Sequence, residues 1–164
     1  MNIKVSGELS DVLIVLRQMA MFETKLAELY SLCASTWEEH AEFWLDIWRD
    51  EIRHAQYISR IIDIVSEKPE SFEKGRPYTV FTVNAVVAGI QSRIDMLKKG
   101  EITEEKILFF ANDMENGFIE EKYSEIVMSG EKEYQNLMRT VVSDTQKHQT
   151  KIDDKIKKRI PKNK

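Results

Sequence analysis

Five residues of ligand type fall where apolar side chains belong: Glu23, Glu51, His54, Glu115 and His148. Glu23 follows Met19 by four and Ala20 by three, and precedes Leu26 by three, in the middle of an apolar stripe. Glu51 follows Ile47 by four and Trp48 by three, and His54 continues that line. Glu115 follows Ala111 by four and precedes Phe118 by three. His148 shares the last apolar stripe with Thr145, three residues before it. An unpaired buried carboxylate is costly, and several together need a common partner. A divalent or trivalent cation is such a partner, because it converts mutual repulsion into coordination. Carboxylate oxygens and imidazole nitrogens are ligands that suit iron or manganese. The spacing of three between Glu51 and His54 lets two side chains of one helix converge on an ion.

Taken singly, each residue has a plainer reading. Glu23 can reach solvent, Glu115 can pair with Lys122, and a lone histidine such as His148 commonly sits at a core boundary. The conjunction carries more weight, since each of four helical segments sends a polar side chain inward. The halves of the chain also echo each other. Glu23 and His54 are 31 residues apart and Glu115 and His148 are 33 apart, as in a duplicated helical hairpin with Glu on one arm and His on the other.

The elements that must position these residues are long helices. Leu9, Leu13, Leu16, Met19, Ala20, Glu23, Leu26, Ala27 and Tyr30 recur at spacings of three and four, which predicts a helix over about 8–34. The stretch STWEE offers a new start, with Thr36 as N-cap and Glu39 three residues on, or Ser35 with Glu38. A second helix is expected over 38–66. EKPESFEKGRPY is a breaker, and a shorter helix is expected over 80–99, closing at Gly100. Its β-branched start (Thr79, Val80, Thr82, Val83) also allows a short strand. Thr103 opens a helix expected over 104–128, with Leu108, Ala111, Met114, Phe118, Ile119 and Ile126 on one side. The last helix is expected over 131–160, leaving a flexible basic tail at 161–164. Short links make antiparallel hairpins, and the roughly 35 residues between the two hairpins are enough to run the length of a bundle. The expected fold is all-α: a single domain over 1–164, a four-helix bundle of two antiparallel hairpins joined by a long crossover that carries an additional helix.

The segments AMFETKLAELY, DEIRHA, ANDME and DTQKH together resemble the ferritin-like superfamily and, within it, the rubrerythrin-type di-iron carboxylate proteins. The resemblance spans about residues 8–156. It implies that Glu23 and Glu115 are outer ligands, that Glu51 bridges two metals, and that His54 and His148 each serve one of them. Iron, as one or two ions, is the implied cofactor, with manganese and zinc as alternatives. Oxygen or peroxide is the implied oxidant, supplied with electrons by an external donor. Tyr30, seven residues after Glu23, is a candidate hydrogen-bond donor to this site or else a core tyrosine. One position departs from the pattern: Thr145 stands where the second bridging Glu belongs. Asp144 points about 100° away around the helix and helps only if that helix is distorted, while Glu120 is expected to face outward. The cysteine-rich rubredoxin module of full rubrerythrins is also missing from this sequence.

Composition narrows the rest. A net charge of −4 gives no support to nucleic-acid binding, and the terminal KIDDKIKKRIPKNK reads as a solvated helix end. The first ten residues lack a signal-peptide layout and no apolar run is long enough for a membrane span, so a cytoplasmic protein is expected. With one cysteine, Cys33, neither an internal disulfide nor a four-cysteine metal site can form. Assembly into homo-oligomers is compatible with the resemblance. Two functions follow. One is a metal-binding protein, with oxidoreductase activity of the ferroxidase or peroxidase type. The other is a metal-depleted bundle acting as a structural or partner-binding module.

Overall fold

A computed structural model describes residues 3–75, 80–117 and 127–159. Among the described residues are five α-helices: α1 (Ile3–Thr36), α2 (Ala41–Glu67), α3 (Val80–Lys98), α4 (Glu104–Gly117) and α5 (Lys132–Arg159). The described residues are thus all-α apart from two three-residue strands, β1 (Phe72–Lys74) and β2 (Val127–Ser129). Among the described residues no helix is long and apolar enough to cross a membrane.

The apolar periodicity explains the packing. On α1, Val12, Val15, Leu16, Met19, Phe22, Leu26, Leu29, Tyr30 and Cys33 are buried at spacings of three and four. They meet Trp44, Ile47, Ile58, Ile61 and Val65 of α2 in one core, which Met138, Val141 and Ile152 of α5 extend. α1 packs along both α2 and α3, and α5 packs along both α2 and α4. Ion pairs fix the direction of α5 against α2. Arg60 of α2 reaches Glu133 at the start of α5 at 2.8 Å, while Lys151, far along α5, pairs with Asp46, near the start of α2. The two helices therefore run antiparallel.

The connection from α2 to α4 returns the full length of α2. It starts beside Glu131, which Lys68 contacts at 2.9 Å, and ends with Glu104 against Trp44 at the opposite end of α2. A helix, α3, is present where one was expected at 80–99. The start of α3 is helical from Val80, so the alternative of a strand there falls away; Thr79 lies outside the described residues. Gly100, with φ of 71°, ends α3. Its N–H donates to Leu97 and that of Glu101 donates to Met96, a closing turn that needs the left-handed backbone glycine allows.

Several boundaries differ from expectation. Ser35 and Thr36 do not cap α2. Their hydroxyls donate to the Leu32 carbonyl at 2.9 and 2.8 Å, so α1 continues through them. Ser and Thr bond as readily back onto a helix as forward onto the next. α2 begins at Ala41, after a 3-10 turn over Glu38–His40. The helix expected over 104–128 is described to Gly117, and residues 127–129 form β2 instead. Phe118, Ile119, Glu120 and Ile126 lie outside the described residues, as do Ile160 and the tail 161–164. β2 pairs antiparallel with β1, Phe72 opposite Ser129. The pairing is reinforced by Ser129 donating to the Ser71 carbonyl at 2.8 Å and by Phe72 packing edge-on against Tyr134 at 5.4 Å. Neither strand was expected, since three residues are too few for a visible alternation.

Glu104 ties the other end of the molecule together. It is buried, accepts a hydrogen bond from Trp44 Nε1 at 2.9 Å, lies 2.8 Å from His40 Nδ1, and accepts a hydrogen bond from Arg159 at the end of α5. Burial alone would raise its carboxyl. The bonds from Trp44, Arg159 and His40 outweigh that and hold it below the ordinary carboxylate value of 4.5. A lowered folded pKa contributes stability above the unfolded value, and that stability is lost as pH falls through the folded one. Glu104→Gln should therefore lower stability at pH 7 by about 1–3 kcal/mol. The deficit should shrink toward zero once the wild-type carboxyl is itself protonated below pH 4.5, as read from urea melts across that range.

Candidate metal centre

All five residues singled out above are buried and come together in the interior. Glu23 comes from α1, Glu51 and His54 from α2, Glu115 from α4 and His148 from α5. The antiparallel pairing of α1 with α2 sets Glu23 level with His54, and that of α4 with α5 sets Glu115 level with His148. Glu51 lies between the two histidines. Its Oε2 is 3.3 Å from His54 Nδ1 and its Oε1 is 3.2 Å from His148 Nδ1. Glu23 Oε2 is 3.9 Å from His54 Nδ1, and Glu115 Oε2 is 3.5 Å from His148 Nδ1. The imidazoles are 5.8 Å apart between ring centres. Two triads result, Glu23/Glu51/His54 and Glu51/Glu115/His148. Within each, one ligand atom per residue lies within 4.8 Å of the others.

Several of these atoms lie close together without a hydrogen bond. Both oxygens of Glu51, both ring nitrogens of His54, Oε2 of Glu115 and Nδ1 of His148 are buried and make no hydrogen bond. Buried polar atoms in folded proteins are nearly always paired. Oxygens and nitrogens that gather within 4.8 Å of one another in this way could hold an ion. Donors bound at about 2.0–2.2 Å to one ion lie about 3–4 Å apart, which matches the separations here. The residues therefore fit a carboxylate–imidazole metal.

The electrostatics follow from burial and closeness. Burial alone would raise the Glu51 carboxyl, but contacts with His148, His54 and Glu23 outweigh it and hold it well below the usual carboxylate range. Glu115 is raised, by burial and by repulsion from Glu51. Burial would lower the His148 imidazole, yet Glu115 and Glu51 prevail and push it up to about 11. In the absence of a cation, a proton on His148 does part of a cation's work.

Residues around the centre fix its geometry. Tyr30 is fully buried, and its hydroxyl donates to Glu115 Oε1 at 3.1 Å, as the sequence had allowed. The Tyr30 ring stacks on Trp44 at 5.6 Å. Thr145 faces inward as the helix register requires, 2% exposed, but its hydroxyl donates to the Val141 carbonyl of its own helix at 3.0 Å. It supplies no carboxylate where Glu51 has its counterpart.

Two residues were not recognised in their actual roles. Asp50 was overlooked, and Asp144 was expected to matter only through a distorted helix. α5 is continuous, and Asp144 is buried and turned toward the other face of His54, with Oδ2 at 3.6 Å from Nε2. Asp50 Oδ2 lies 2.9 Å from His148 Nε2. His148 thus bonds an aspartate from the other half at its far nitrogen, whereas Asp144 stands beside His54 Nε2 but beyond hydrogen-bond reach. The Asp50 acceptor favours N–H on Nε2 of His148 and leaves its Nδ1 lone pair for the centre. The signal was present in DEIRH and DTQKH, which share an aspartate four residues before the histidine.

No protein-family model, no curated protein and no solved structure matches this chain. The geometry alone makes one prediction about ion uptake. A metal needs neutral imidazole, and Glu115 and Glu51 push the His148 imidazole up to about 11, which favours its protonated form at pH 7. Zn(II) binding at pH 7 should thus release about one proton per chain from this residue, and affinity should rise with pH, about tenfold per unit for one proton. Titration in weak buffer with a pH indicator reads the release, and His148→Gln should abolish this component.

Proposed function

We propose that this chain is a ferritin-like bundle protein that holds one or two metal ions, iron by preference, through Glu23, Glu51, His54, Glu115 and His148. The observation that carries this reading is the convergence of five buried ligand-type side chains from four helices, with hydrogen-bond-free oxygens and nitrogens on Glu51, His54, Glu115 and His148. Hard carboxylate oxygens with two imidazoles suit iron or manganese, and zinc is the alternative. Iron so held would supply the reducing equivalents for oxygen or peroxide, making the activity ferroxidase- or peroxidase-like. The resemblance to rubrerythrin-type proteins points the same way.

The chain's own residues have definable parts in that function. Glu51 faces both histidines and is the natural shared ligand, while Glu23 and Glu115 each complete one side. Tyr30 orients Glu115 through its hydroxyl and, wedged against Trp44, closes that side of the site with apolar surface. Asp50 sets the ring orientation of His148, and Asp144 places a negative charge beside His54. With Thr145 in place of a fourth carboxylate, the site carries three formal negative charges rather than four. Two divalent ions are then less well neutralised than in a symmetric site, which favours a loosely held second ion.

Thr145 also supports a second reading, a bundle that keeps the fold as a structural or partner-binding module. Against it, three carboxylates and two imidazoles burden a metal-free core, which gains stability when such groups become apolar.

Metal content per chain separates the two readings, measured after purification without chelator and again after anaerobic Fe(II) loading. The metal reading expects one to two ions per chain, and near-zero content under both conditions would leave the structural one. Thr145→Glu should bring iron toward two per chain and raise the rate of Fe(II) oxidation severalfold, followed by ferric absorbance. No response would mean that Thr145 does not face the ions.

A further inference from the structure

Arg53 lies on α2 between Asp50 and His54, about half exposed, outside the set of residues that converge on the centre. Its Nη2 donates to Asp50 Oδ1 and also to Asp144 Oδ2, the latter at 3.3 Å. One nitrogen therefore touches both of the carboxylates that face the two histidines. The other oxygen of Asp50 is the one against His148 Nε2 at 2.9 Å, and Asp144 Oδ2 is the one 3.6 Å from His54 Nε2. Asp144 has a second cation, Lys147, on Oδ1 at 2.7 Å. Asp50 has only Arg53 among the ion pairs of the described residues, apart from His148 itself.

We infer that Arg53 is a positioning residue for the centre, holding Asp50 on His148 so that this imidazole presents Nδ1 inward, and keeping the Asp144 charge beside His54. This rests on the metal-binding reading above. Without a cation between them, two carboxylates drawn to one point repel each other and swing toward solvent, and His148 loses the acceptor that fixes its ring. The inner ligands would all still be present, but His148 would be free to turn or to change tautomer. A residue at the surface thus sets the quality of a fully buried site.

The rival explanation is that Arg53 merely ties α2 to α5. Arg60 supplies the control, since it also joins these helices, bonding Glu133 at 2.8 and 3.2 Å, and is similarly exposed. Four proteins are compared by competition of Zn(II) against a chromophoric chelator: wild type, Arg53→Gln, Arg53→Lys and Arg60→Gln. Zn(II) is not redox-active, so the readout is binding and not turnover. Arg53→Gln should weaken Zn(II) binding about 10–100-fold, the range for lost outer partners of metal-bound histidines, with unchanged stoichiometry. Arg53→Lys, whose ammonium can bridge both aspartates, should restore most of the affinity, and Arg60→Gln should bind as wild type.

In the Zn(II)-loaded proteins, the Nε2–H proton of His148 should exchange with solvent faster in Arg53→Gln than in wild type, by nuclear magnetic resonance. Lys147→Met, which removes a cation from Asp144 but not from Asp50, should leave the His148 proton as in wild type. Wild-type Zn(II) affinity and wild-type exchange in Arg53→Gln would overturn the inference while leaving the metal reading intact. Equal losses in Arg53→Gln and Arg60→Gln would overturn it in favour of simple helix tethering. Failure of the wild-type protein itself to take up Zn(II) would instead remove the reading on which the inference stands.

Discussion

The interaction on which the rest of this structure depends is the burial of three carboxylates against two imidazoles in the interior. Glu23, Glu51 and Glu115 are taken out of water completely or nearly so, and His54 and His148 are their immediate neighbours. Carboxylates in that setting repel one another and are poorly solvated, so the cluster is tolerable only if positive charge sits among them. In the metal-free protein, protonation of His148 and the raised Glu115 carboxyl meet part of that need. On the proposed reading, an ion meets it more completely, and the four helices are held in the register that lets it do so.

That register is locked at both ends of the molecule by unrelated means. At one end, Glu104 gathers Trp44, His40 and Arg159, joining α4, the start of α2 and the end of α5. At the other, the β1–β2 pair and the Lys68–Glu131 contact fasten the connection after α2 to the approach to α5. Between them, Trp44 stacks on Tyr30, whose hydroxyl reaches Glu115. The Glu104 cluster thus communicates with the centre through two aromatic rings. Core packing, together with the Tyr30 bond to Glu115, keeps the ligand carboxylates from relaxing toward solvent.

The two halves are similar without being equivalent. Each histidine has an aspartate four residues before it and lies beside the aspartate of the opposite half. Yet Asp50 makes a 2.9 Å contact with His148, whereas Asp144 stands 3.6 Å from His54 and is shared with Lys147 and Arg53. Glu51 answers to both histidines, while Thr145, its counterpart, bonds its own helix. The asymmetry lies entirely in the second hairpin's DTQKH, which keeps the aspartate and histidine of DEIRH and loses the acid between them.

The inward-facing set Glu23, Glu51, His54, Glu115, Thr145 and His148 was legible in the sequence because helical periodicity is local. A residue three or four positions from buried neighbours shares their face whatever the rest of the chain does. Long helices and the length of the crossover were legible for the same reason. Ser35 and Thr36 were misread because a hydroxyl near a helix junction has two local partners, and only the tertiary path of the chain selects between them. β1 and β2 were invisible because three-residue strands exist through pairing with a distant segment, Phe72 opposite Ser129, 57 positions on, at its outer end. The outer residues Asp50, Asp144 and Arg53 belong to the same class. Their roles arise from contacts between helices, α2 with α5, and no spacing within one helix could announce which carboxylate would meet which imidazole. Sequence determined which side chains face inward; tertiary structure decided that they meet at one point, and which charged residues at the rim hold them there.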